Sequence, residues 1–582
     1  MKTRITYFIV LFILAAFMRF VYLDRIPSGI VGDELDYIFS TKLYALTGSD
    51  ITGTWTPWSM KTVPNEVPKA EFPYLLTLPI AAWLPFSLFN ARIIYALINI
   101  ALVFVIYGIT KDLFGDRIGK IGGLIAAVNP WMVYYGRTAF DVPVAVFFFL
   151  FAFLVLLRTK GWWLLTASVP LLLGFYSYIG MKILFLPYSL GVFWWVYRYR
   201  PERVSKKPLL VLAVFSVFVF SYYAISVRAL GTGERLTQVL TPVNPEISAI
   251  VDTERRLSVP TPFRSIFSNK LTTYFRVSID KFFGAYDPKL LFANGEGVAT
   301  FAMWFHGIFY PFEALFFLIG LFMLYRKKLP VAVLMTAMML LGPIPSFVSN
   351  AGTTYVHRAS VMFPFMLMTM AYGIDAGIGH FRKTVDRRRF IVGLGFLYAV
   401  AVSNFLYLYL FRFPVYNPES FAFSYRLYSK YLSLANEKKI SVTLIDTNPT
   451  HHMRNFVFYG YPATTASLTE FKSKVQKREL TLGTVTFRDT CPSKPDPASV
   501  YIIAQDNPCR KTIFPKSSFD VIPIIADGGI LYGVYNDLLC GDYRLNPYPP
   551  APRMDDLVVE SLTEQRFCET YIIRYEGTDT TE

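Results

Sequence analysis

The sequence predicts an α-helical polytopic membrane domain of about 11 transmembrane helices, followed by a C-terminal extracytoplasmic soluble domain of the α/β or α+β class. Of the 582 residues, 54% are apolar and only 17% are charged, and the mean hydropathy is +0.39. This composition excludes an ordinary soluble multidomain protein. Long apolar runs recur along the first two thirds of the chain, and the composition then becomes mixed.

Each candidate span is an apolar run near the length that crosses the hydrocarbon core of a bilayer, about 20 residues. The candidates are residues 7–23, 91–109, 118–134, 142–157, 162–178, 183–196, 209–227, 304–324, 331–347, 360–377 and 390–410. The basic start Met1–Arg4 before the first run is also typical of a signal peptide. Because an Ala-x-Ala cleavage site does not follow and many more spans do, we interpret the first run as a retained helix.

The loops between these spans predict the orientation of the chain. With a cytoplasmic N-terminus, every dense cluster of Lys and Arg falls on the cytoplasmic side, as the positive-inside rule requires. The clusters lie at residues 110–120, 158–160, 198–207, 326–328 and 382–389. The formal net charge of +16 is therefore attributed to cytoplasmic loops and not to nucleic-acid binding. The segments predicted outside are 24–90, 136–141, 179–182, 228–303, 349–358 and everything after Arg412.

The second domain is predicted at residues 412–582, after a membrane domain at 1–411. Strand-like runs at 440–445, 500–504 and 529–535 alternate with Asn, Asp, Pro and Gly turns. All four cysteines lie here: Cys491, Cys509, Cys540 and Cys568. An even number on the external side indicates disulfides, and three pairings are open. Sequence proximity favours Cys491 with Cys509 and Cys540 with Cys568, whereas a zinc site lacks the usual CxxC spacing.

Charged residues cluster at the predicted outer mouths of the spans. Asp33, Glu34 and Asp36 follow the first span, and five further residues lie at other mouths: Arg137, Asp141, Lys182, His357 and Arg358. Charges at a membrane boundary are unfavourable unless they are solvated, paired or functional. The alternatives remain open at this stage. The acids suit a solvated helix start, Arg137 and Asp141 are spaced to pair on a helix, and Lys182 and Arg358 suit interfacial anchors.

Several short motifs occur in an order that resembles a known family. They are Tyr22–Pro27, Gly32-Asp33-Glu34, Glu71–Tyr74, Asn129-Pro130, Arg137–Asp141, Leu291–Gly295 and His357-Arg358. Together with the topology, they resemble the protein O-mannosyltransferase and aminoarabinose (lipid A) transferase group of the GT-C superfamily. The resemblance covers residues 1–410 and leaves the C-terminal domain unmatched.

The resemblance implies an integral membrane glycosyltransferase that moves a sugar from a polyprenyl-phosphate donor to an extracytoplasmic acceptor. The acceptor is a protein, a glycan or a lipid. Asp33 is expected to act as general base in an inverting displacement, with Glu34 orienting the acceptor or holding Asp33. Carrier phosphate binding and site support are expected from Arg137, Asp141, Tyr178, Lys182, His357 and Arg358. A divalent metal ion is compatible with the carboxylates, but we expect no obligatory cofactor.

The long external segment 228–303 mixes basic and aromatic residues, which is typical of an amphipathic segment at the membrane interface. We expect it to act as a lid that excludes water from the site. Two other functions compete with the enzyme. A lipid-linked-sugar flippase or transporter would also have many spans and an external charge cluster. In a non-catalytic surface-assembly protein, the C-terminal domain would carry the function.

Overall fold

The structure is a computed structural model that describes residues 2–53, 69–200, 205–229, 245–303, 305–349, 355–510, 519–523, 525, 528–548 and 552–575. The first ten helices are α1 (Lys2–Phe20), α2 (Gly32–Thr47), α3 (Phe72–Trp83), α4 (Leu88–Phe114), α5 (Asp116–Val128), α6 (Pro130–Tyr135), α7 (Asp141–Arg158), α8 (Ser168–Phe175), α9 (Ile179–Tyr199) and α10 (Lys206–Ala229). A 3-10 helix, Gly161–Ala167, leads into α8.

The helices of the second half of the membrane domain are α11 (Pro245–Arg256), α12 (Arg264–Phe267), α13 (Lys270–Gly284), α14 (Pro288–Phe292), α15 (Glu313–Lys327), α16 (Leu329–Leu341), α17 (Ile344–Val348), α18 (Tyr355–Arg358), α19 (Met362–His380) and α20 (Thr384–Tyr407). A π-helical turn, Leu408–Arg412, joins α20 to α21 (Phe413–Tyr416).

Six of the described helices are long and apolar enough to cross a membrane. They are Leu88–Phe114, Asp141–Arg158, Ile179–Tyr199, Lys206–Ser226, Leu329–Val348 and Thr384–Tyr416. Shorter apolar helices are Ile5–Phe20, Phe72–Trp83 and Gly161–Phe175. The predicted two-part architecture, a helical apolar part and a C-terminal sheet, is confirmed. The number of about 11 crossings stays a prediction.

Three predicted spans differ from the helices. The run 118–134 is divided between α5 and α6, because Asn129 caps α6 by accepting the amide of Met132 and Pro130 occupies the first helical position. The run 162–178 starts as the 3-10 helix and not as an α-helix. The run 304–324 becomes helical only at Glu313, after the turn at Pro311.

The C-terminal domain begins with α22 (Phe423–Glu437), after a 3-10 turn at Pro418–Phe421. The remaining elements are β1 (Val442–Ile445), α23 (Pro449–Tyr459), α24 (Thr465–Lys477), β2 (Thr481–Leu482), β3 (Val485–Arg488), β4 (Val500–Ala504), β5 (Phe519–Pro523), β6 (Ile530–Tyr535), a 3-10 turn (Val559–Ser561), α25 (Glu564–Tyr571) and β7 (Ile573–Tyr575). The three predicted strand runs correspond to β1, β4 and β6.

The seven strands form one mixed sheet in the order β2-β3-β1-β4-β6-β5-β7. The central strand β1 pairs in parallel with β3 and β4, so Val442 faces Val485 on one side and Val500 on the other. The other strand pairs are antiparallel. Disulfides join Cys491 to Cys509 and Cys540 to Cys568, the pairing that sequence proximity favours.

The C-terminal domain and the first external segment share one hydrophobic core. Leu35, Phe39 and Leu43 of α2 are buried in the same cluster as the sheet and its helices. The ring of Phe39 lies 5.2 Å from that of Phe471 on α24. Because apolar surface is removed from water on both sides of this contact, it stabilises the packing of α2 against the C-terminal domain.

Helices α15 and α19 approach closely enough that their backbones touch. A Cβ atom on Gly373 of α19 would lie 1.9 Å from the carbonyl oxygen of Phe316, and one on Gly320 would lie 2.1 Å from that of Thr369. Small residues permit this approach between membrane helices.

We expect Gly373→Ala to lower stability by roughly 1–3 kcal/mol, because the added methyl group overpacks a backbone contact. Gly379→Ala on the same helix is the matched control, since its Cβ would meet nothing within 4 Å. The measurement is the midpoint of thermal unfolding in detergent. Equal midpoints for both variants would contradict the close approach of α15 and α19.

Candidate functional site

Glu34 is held inside the protein by Arg92 of α4. The Arg92 Nε donates to Oε1 of Glu34 at 3.0 Å and its Nη2 donates to Oε2 at 3.1 Å, with both side chains fully buried. The amide of Ala139 also donates to Glu34 at 2.7 Å, and Arg92 donates to the carbonyls of Pro27 and Gly29. A bidentate pair of this kind fixes position. Glu34 therefore anchors the start of α2 against α4.

Asp33, the neighbouring residue, faces a different environment. Its carboxylate is 42% exposed and pairs with Lys69, which also pairs with Asp36 one turn further along α2. Asp36 is buried and accepts a second cation, Arg454 of α23 in the C-terminal domain. We call these four residues the acid–base cluster. Of its two carboxylates, Asp33 is the one open to solvent.

The lysine of the acid–base cluster stays protonated. Burial lowers the pKa of the Lys69 ammonium, but the adjacent carboxylates of Asp36 and Asp33 outweigh burial, so the pKa lies above its usual value. His451 of α23 lies beside the cluster, and burial, with Arg454 and His452 nearby, lowers its pKa to about 4. At neutral pH the imidazole of His451 is therefore uncharged.

A chain of polar contacts leads from α2 to the mouths of other helices. Tyr37 donates to Oδ2 of Asp141 at 2.9 Å, and Oδ1 of Asp141 lies 3.6 Å from Nε2 of His357. The centroid of the His357 ring lies 5.1 Å from that of Tyr178, the residue directly before α9. Three of the predicted site residues, Asp141, His357 and Tyr178, are thus in one place.

Lys182 lies one helical turn beyond Tyr178 and is buried. Its Nζ donates to both carboxylate oxygens of Glu71 at 3.0 Å and lies 4.1 Å from the ring centroid of Tyr223. Glu71, just before α3, is thus the counter-ion of Lys182. A phosphate at this point would share the ammonium with Glu71.

Arg137 and Asp141 do not form the ion pair that their spacing permits. Asp141 begins α7, whereas Arg137 lies in the turn before it, so the two residues do not share a helix. Arg137 is buried and donates to the carbonyls of Met18, Arg19 and Ile26 at 3.1–3.3 Å. It satisfies the C-terminal end of α1 and holds that end against the site.

Arg358 is the last residue of the short helix α18, and Glu296 accepts hydrogen bonds at the start of this helix. The Glu296 carboxylate accepts the amides of Tyr355 at 2.7 Å and Val356 at 2.9 Å. Burial raises the pKa of Glu296 to about 7, although both amides and the nearby Arg358 act to lower it. A cavity of about 580 Å³ lies beside Glu296, lined by Gly284, Lys289, Asn294, Phe305 and Tyr355. Glu296 thus sets where His357 and Arg358 sit.

Four charged partners were missed by the sequence interpretation: Lys69, Glu71, Arg92 and Arg454. Glu71 opens the Glu71–Tyr74 motif and Lys69 precedes the motif by two residues, so their position at this motif carried a signal. Arg92 is a single cation at the outer end of a span, which indicates a paired or functional residue. Arg454 lies in the soluble domain, and its sequence context carries no such signal.

The carboxylates of the site are paired with cations and are not arranged as a ligand set. Within the described ranges, no group of three or more His, Cys, Asp and Glu side chains is placed to hold a metal ion. Asp33 and Asp36 share Lys69. The expectation that no metal ion is obligatory stays a prediction.

The predicted lid, 228–303, contains α11 to α14, and its residues 230–244 lie outside the described residues. Large apolar side chains are exposed along it, including Phe263, Phe267, Leu271, Phe275 and Phe283. Arg276 pairs with Glu254, which ties α13 to α11. Exposed apolar side chains next to basic ones suit contact with a membrane surface. Closure over the site stays a prediction.

Comparison with known proteins gives structural neighbours alone. No protein-family model matches the sequence, and no curated protein matches it. The chain is similar in structure to ArnT from Cupriavidus metallidurans in the apo state, with 13% identity over 91% of this chain and 98% of that one, at a TM-score of 0.48. ArnT bound to undecaprenyl phosphate gives 11% identity, coverages of 92% and 97%, and a TM-score of 0.48.

A third neighbour is the oligosaccharyltransferase AglB from Archaeoglobus fulgidus in complex with an inhibitory peptide and a dolichol-phosphate. Its identity is 12%, it covers 96% of this chain and 77% of that one, and the TM-score is 0.40. All three TM-scores are below 0.5, so these likenesses carry no conclusion about function.

We expect Arg92→Met to destabilise the protein by roughly 3–5 kcal/mol, because it leaves the Glu34 carboxylate buried without a counter-ion. The matched control is Arg117→Met, which removes a half-exposed Arg paired with Asp375 at 2.7 Å. That exposed pair contributes less than about 1 kcal/mol. Thermal unfolding of both variants is the measurement, and equal losses would mean that the Glu34–Arg92 pair is not an anchor.

Glu296 predicts a pH dependence with a defined sign. Its folded pKa of about 7 lies above the usual 4.5, so the folded protein binds the extra proton between these values and loses stability as pH rises through this window. Glu296→Gln removes this contribution. The difference in free energy of unfolding between wild type and variant should therefore change by roughly 2–3 kcal/mol as the pH rises from 4.5 to about 7. A difference that is constant with pH, from unfolding at several pH values, would contradict the raised pKa.

Proposed function

We propose that this protein is an integral membrane glycosyltransferase that moves a sugar from a polyprenyl-phosphate donor to an extracytoplasmic acceptor, with Asp33 as general base. The observation that carries the proposal is the polar chain at the helix mouths. Tyr37, on the same helix as Asp33 and Asp36, donates to Asp141, which lies next to His357, and the ring of His357 lies against that of Tyr178. These contacts connect the helix that carries the half-exposed carboxylate of Asp33 with α18 and with the residue that precedes α9.

The donor side needs cations for a phosphate beside apolar surface for a lipid tail. Lys182 lies one helical turn from Tyr178, and Arg358 directly follows His357. Both cations therefore lie close in the sequence to the contact between the rings of His357 and Tyr178. Arginine suits bidentate contact with phosphate oxygens, and lysine supplies a point charge. Cations fixed here would stabilise the phosphate as it gains negative charge on leaving.

The acceptor side needs a carboxylate that is ionised and accessible. Asp33 suits this role, because Lys69 provides a counter-ion for its carboxylate and its side chain is 42% exposed. In the proposed step Asp33 takes the proton from an acceptor hydroxyl or amine as that atom bonds to the anomeric carbon. The bond from that carbon to the phosphate oxygen breaks, and the phosphate leaves with the electron pair. Attack opposite to the leaving group inverts the anomeric centre.

In the proposed mechanism the other predicted residues have supporting roles. Glu34 fixes the start of α2 through Arg92, which holds Asp33 in place without contact to substrate. Asp141 orients Tyr37 and His357, and Arg137 supports the end of α1. In this proposal the site faces away from the cytoplasm, and the C-terminal domain lies on the acceptor side.

The proposal predicts that Asp33→Asn lowers transfer by at least roughly 100-fold, because the amide cannot accept the acceptor's proton. The probe is radiolabelled polyprenyl-phosphate mannose, with the aminopentose-linked lipid in a parallel assay. Release of label from the lipid phase is measured with purified protein. The control is Asp555→Asn, which changes a carboxylate whose side chain is 93% exposed and which pairs with Arg25.

Release of label by wild type and control but not by Asp33→Asn supports the enzyme. Equal release by all three proteins would remove Asp33 from the mechanism. Translocation of the labelled lipid across vesicles without release would favour a flippase instead.

A further inference from the structure

The C-terminal domain contributes a charge to the acid–base cluster. Arg454 of α23 is 1% exposed, donates to Oδ1 of Asp36, and lies 5.3 Å from the ring centroid of Phe39 on α2. Asp36 is 418 residues away in the sequence. A buried guanidinium is unfavourable without a partner, so this contact fixes Arg454 and Asp36 to each other.

The cluster balances two negative and two positive charges. Asp33 and Asp36 share Lys69, and Asp36 also holds Arg454. Without Arg454, the described cation that pairs with Asp36 would be Lys69 alone. Lys69 would then be drawn toward the buried Asp36, and Asp33 would lose part of the positive field that Lys69 provides.

We propose that Arg454 is a positioning residue for the acid–base cluster, so that the C-terminal domain is a working part of the catalytic site and not a separate recruiting module. This inference rests on the proposed function insofar as the site is catalytic. The charge relation between Arg454, Asp36 and Lys69 is independent of it and can be measured without any substrate.

Other ionisable groups face the cluster and enter the same balance. Tyr37 lies on α2 and Tyr74 on α3, with ring centroids 5.1 Å apart. Burial raises the pKa of Tyr37 well above its usual value, and the charge of Asp141 adds to this effect, so the phenol stays neutral. His451 is also neutral at physiological pH. On the other side of α2, the pair of Glu34 and Arg92 is internally balanced.

The experiment measures how readily the Lys69 amine reacts, because only its neutral form is acetylated. The full-length protein in detergent is treated with a limiting amount of acetic anhydride at one mildly alkaline pH. Mass spectrometry then compares the labelling of Lys69 with that of exposed lysines in the same sample.

The variants predict opposite shifts. Arg454→Met leaves Lys69 with two carboxylates and no second cation, so labelling of Lys69 should fall by roughly 10-fold. Asp36→Asn removes one carboxylate, so labelling should rise by a similar factor of about 10. The double variant has one carboxylate and one ammonium, and should return close to wild type. Arg454→Lys keeps the charge and should also stay close to wild type.

Arg426→Met is the matched control for a general loss of packing. Arg426 is likewise buried in the C-terminal domain and crosses to the first external segment, where it donates to the carbonyl of Ser28 at 2.8 Å. Its ion pair is with Glu560, outside the cluster. We expect this variant to lose stability without changing the labelling of Lys69. If the Arg454→Met protein does not fold, Asp36→Asn and the Arg454→Lys variant still test the charge relation.

The same variants test the catalytic part through the pH dependence of label release from polyprenyl-phosphate mannose. The acid limb of the profile should move to higher pH by about one unit in Arg454→Met and return in the double variant. Unchanged labelling of Lys69 in both Arg454→Met and Asp36→Asn would overturn the proposal whatever the activity. Labelling shifts without any transferase activity in wild type would refute the proposed function alone.

Discussion

The structure depends on the neutralisation of three carboxylates that one helix carries at a membrane boundary. Glu34, Asp36 and Asp33 lie within the first turns of α2, and each meets a cation from another part of the chain. Arg92 lies on α4, Lys69 lies just before α3, and Arg454 lies in the C-terminal domain. Since a buried carboxylate without a counter-ion is strongly unfavourable, α2 forms its native contacts only when all three parts are assembled.

This constraint explains why the site and the fold cannot be separated into independent modules. The apolar side of α2 is buried in the core of the C-terminal domain, while Glu34 ties the same helix to α4. Asp33, on the remaining side, stays open to solvent. A rigidly held helix with one accessible acid is the arrangement that a positioned general base requires, because reactivity depends on placement as much as on acidity.

The sequence predicted the elements that depend on local patterns. Apolar runs located most helices, turn residues located the strands, and the spacing of Cys491, Cys509, Cys540 and Cys568 favoured the observed disulfides. The break at Asn129-Pro130 was missed, because the apolar run continues through it although Pro130 signals a new helix start.

The candidate site was predictable in part. Asp141, Tyr178 and His357 lie next to one another, and their role in a site stays a prediction. The alternative that Arg137 pairs with Asp141 does not hold, because i, i+4 spacing pairs residues only when both lie on one helix. The pairing of Arg454 with Asp36 depends on long-range packing of charges, and the periodicity of a single sequence holds no information about such a pair.

The most direct test of Asp33 as general base is an experimental structure of the full chain with a non-hydrolysable polyprenyl-phosphonate sugar. We expect the phosphonate beside Lys182 and Arg358, with the anomeric carbon facing Asp33 across a gap that an acceptor atom can fill. A headgroup bound at the opposite ends of the helices, away from α2, would contradict it.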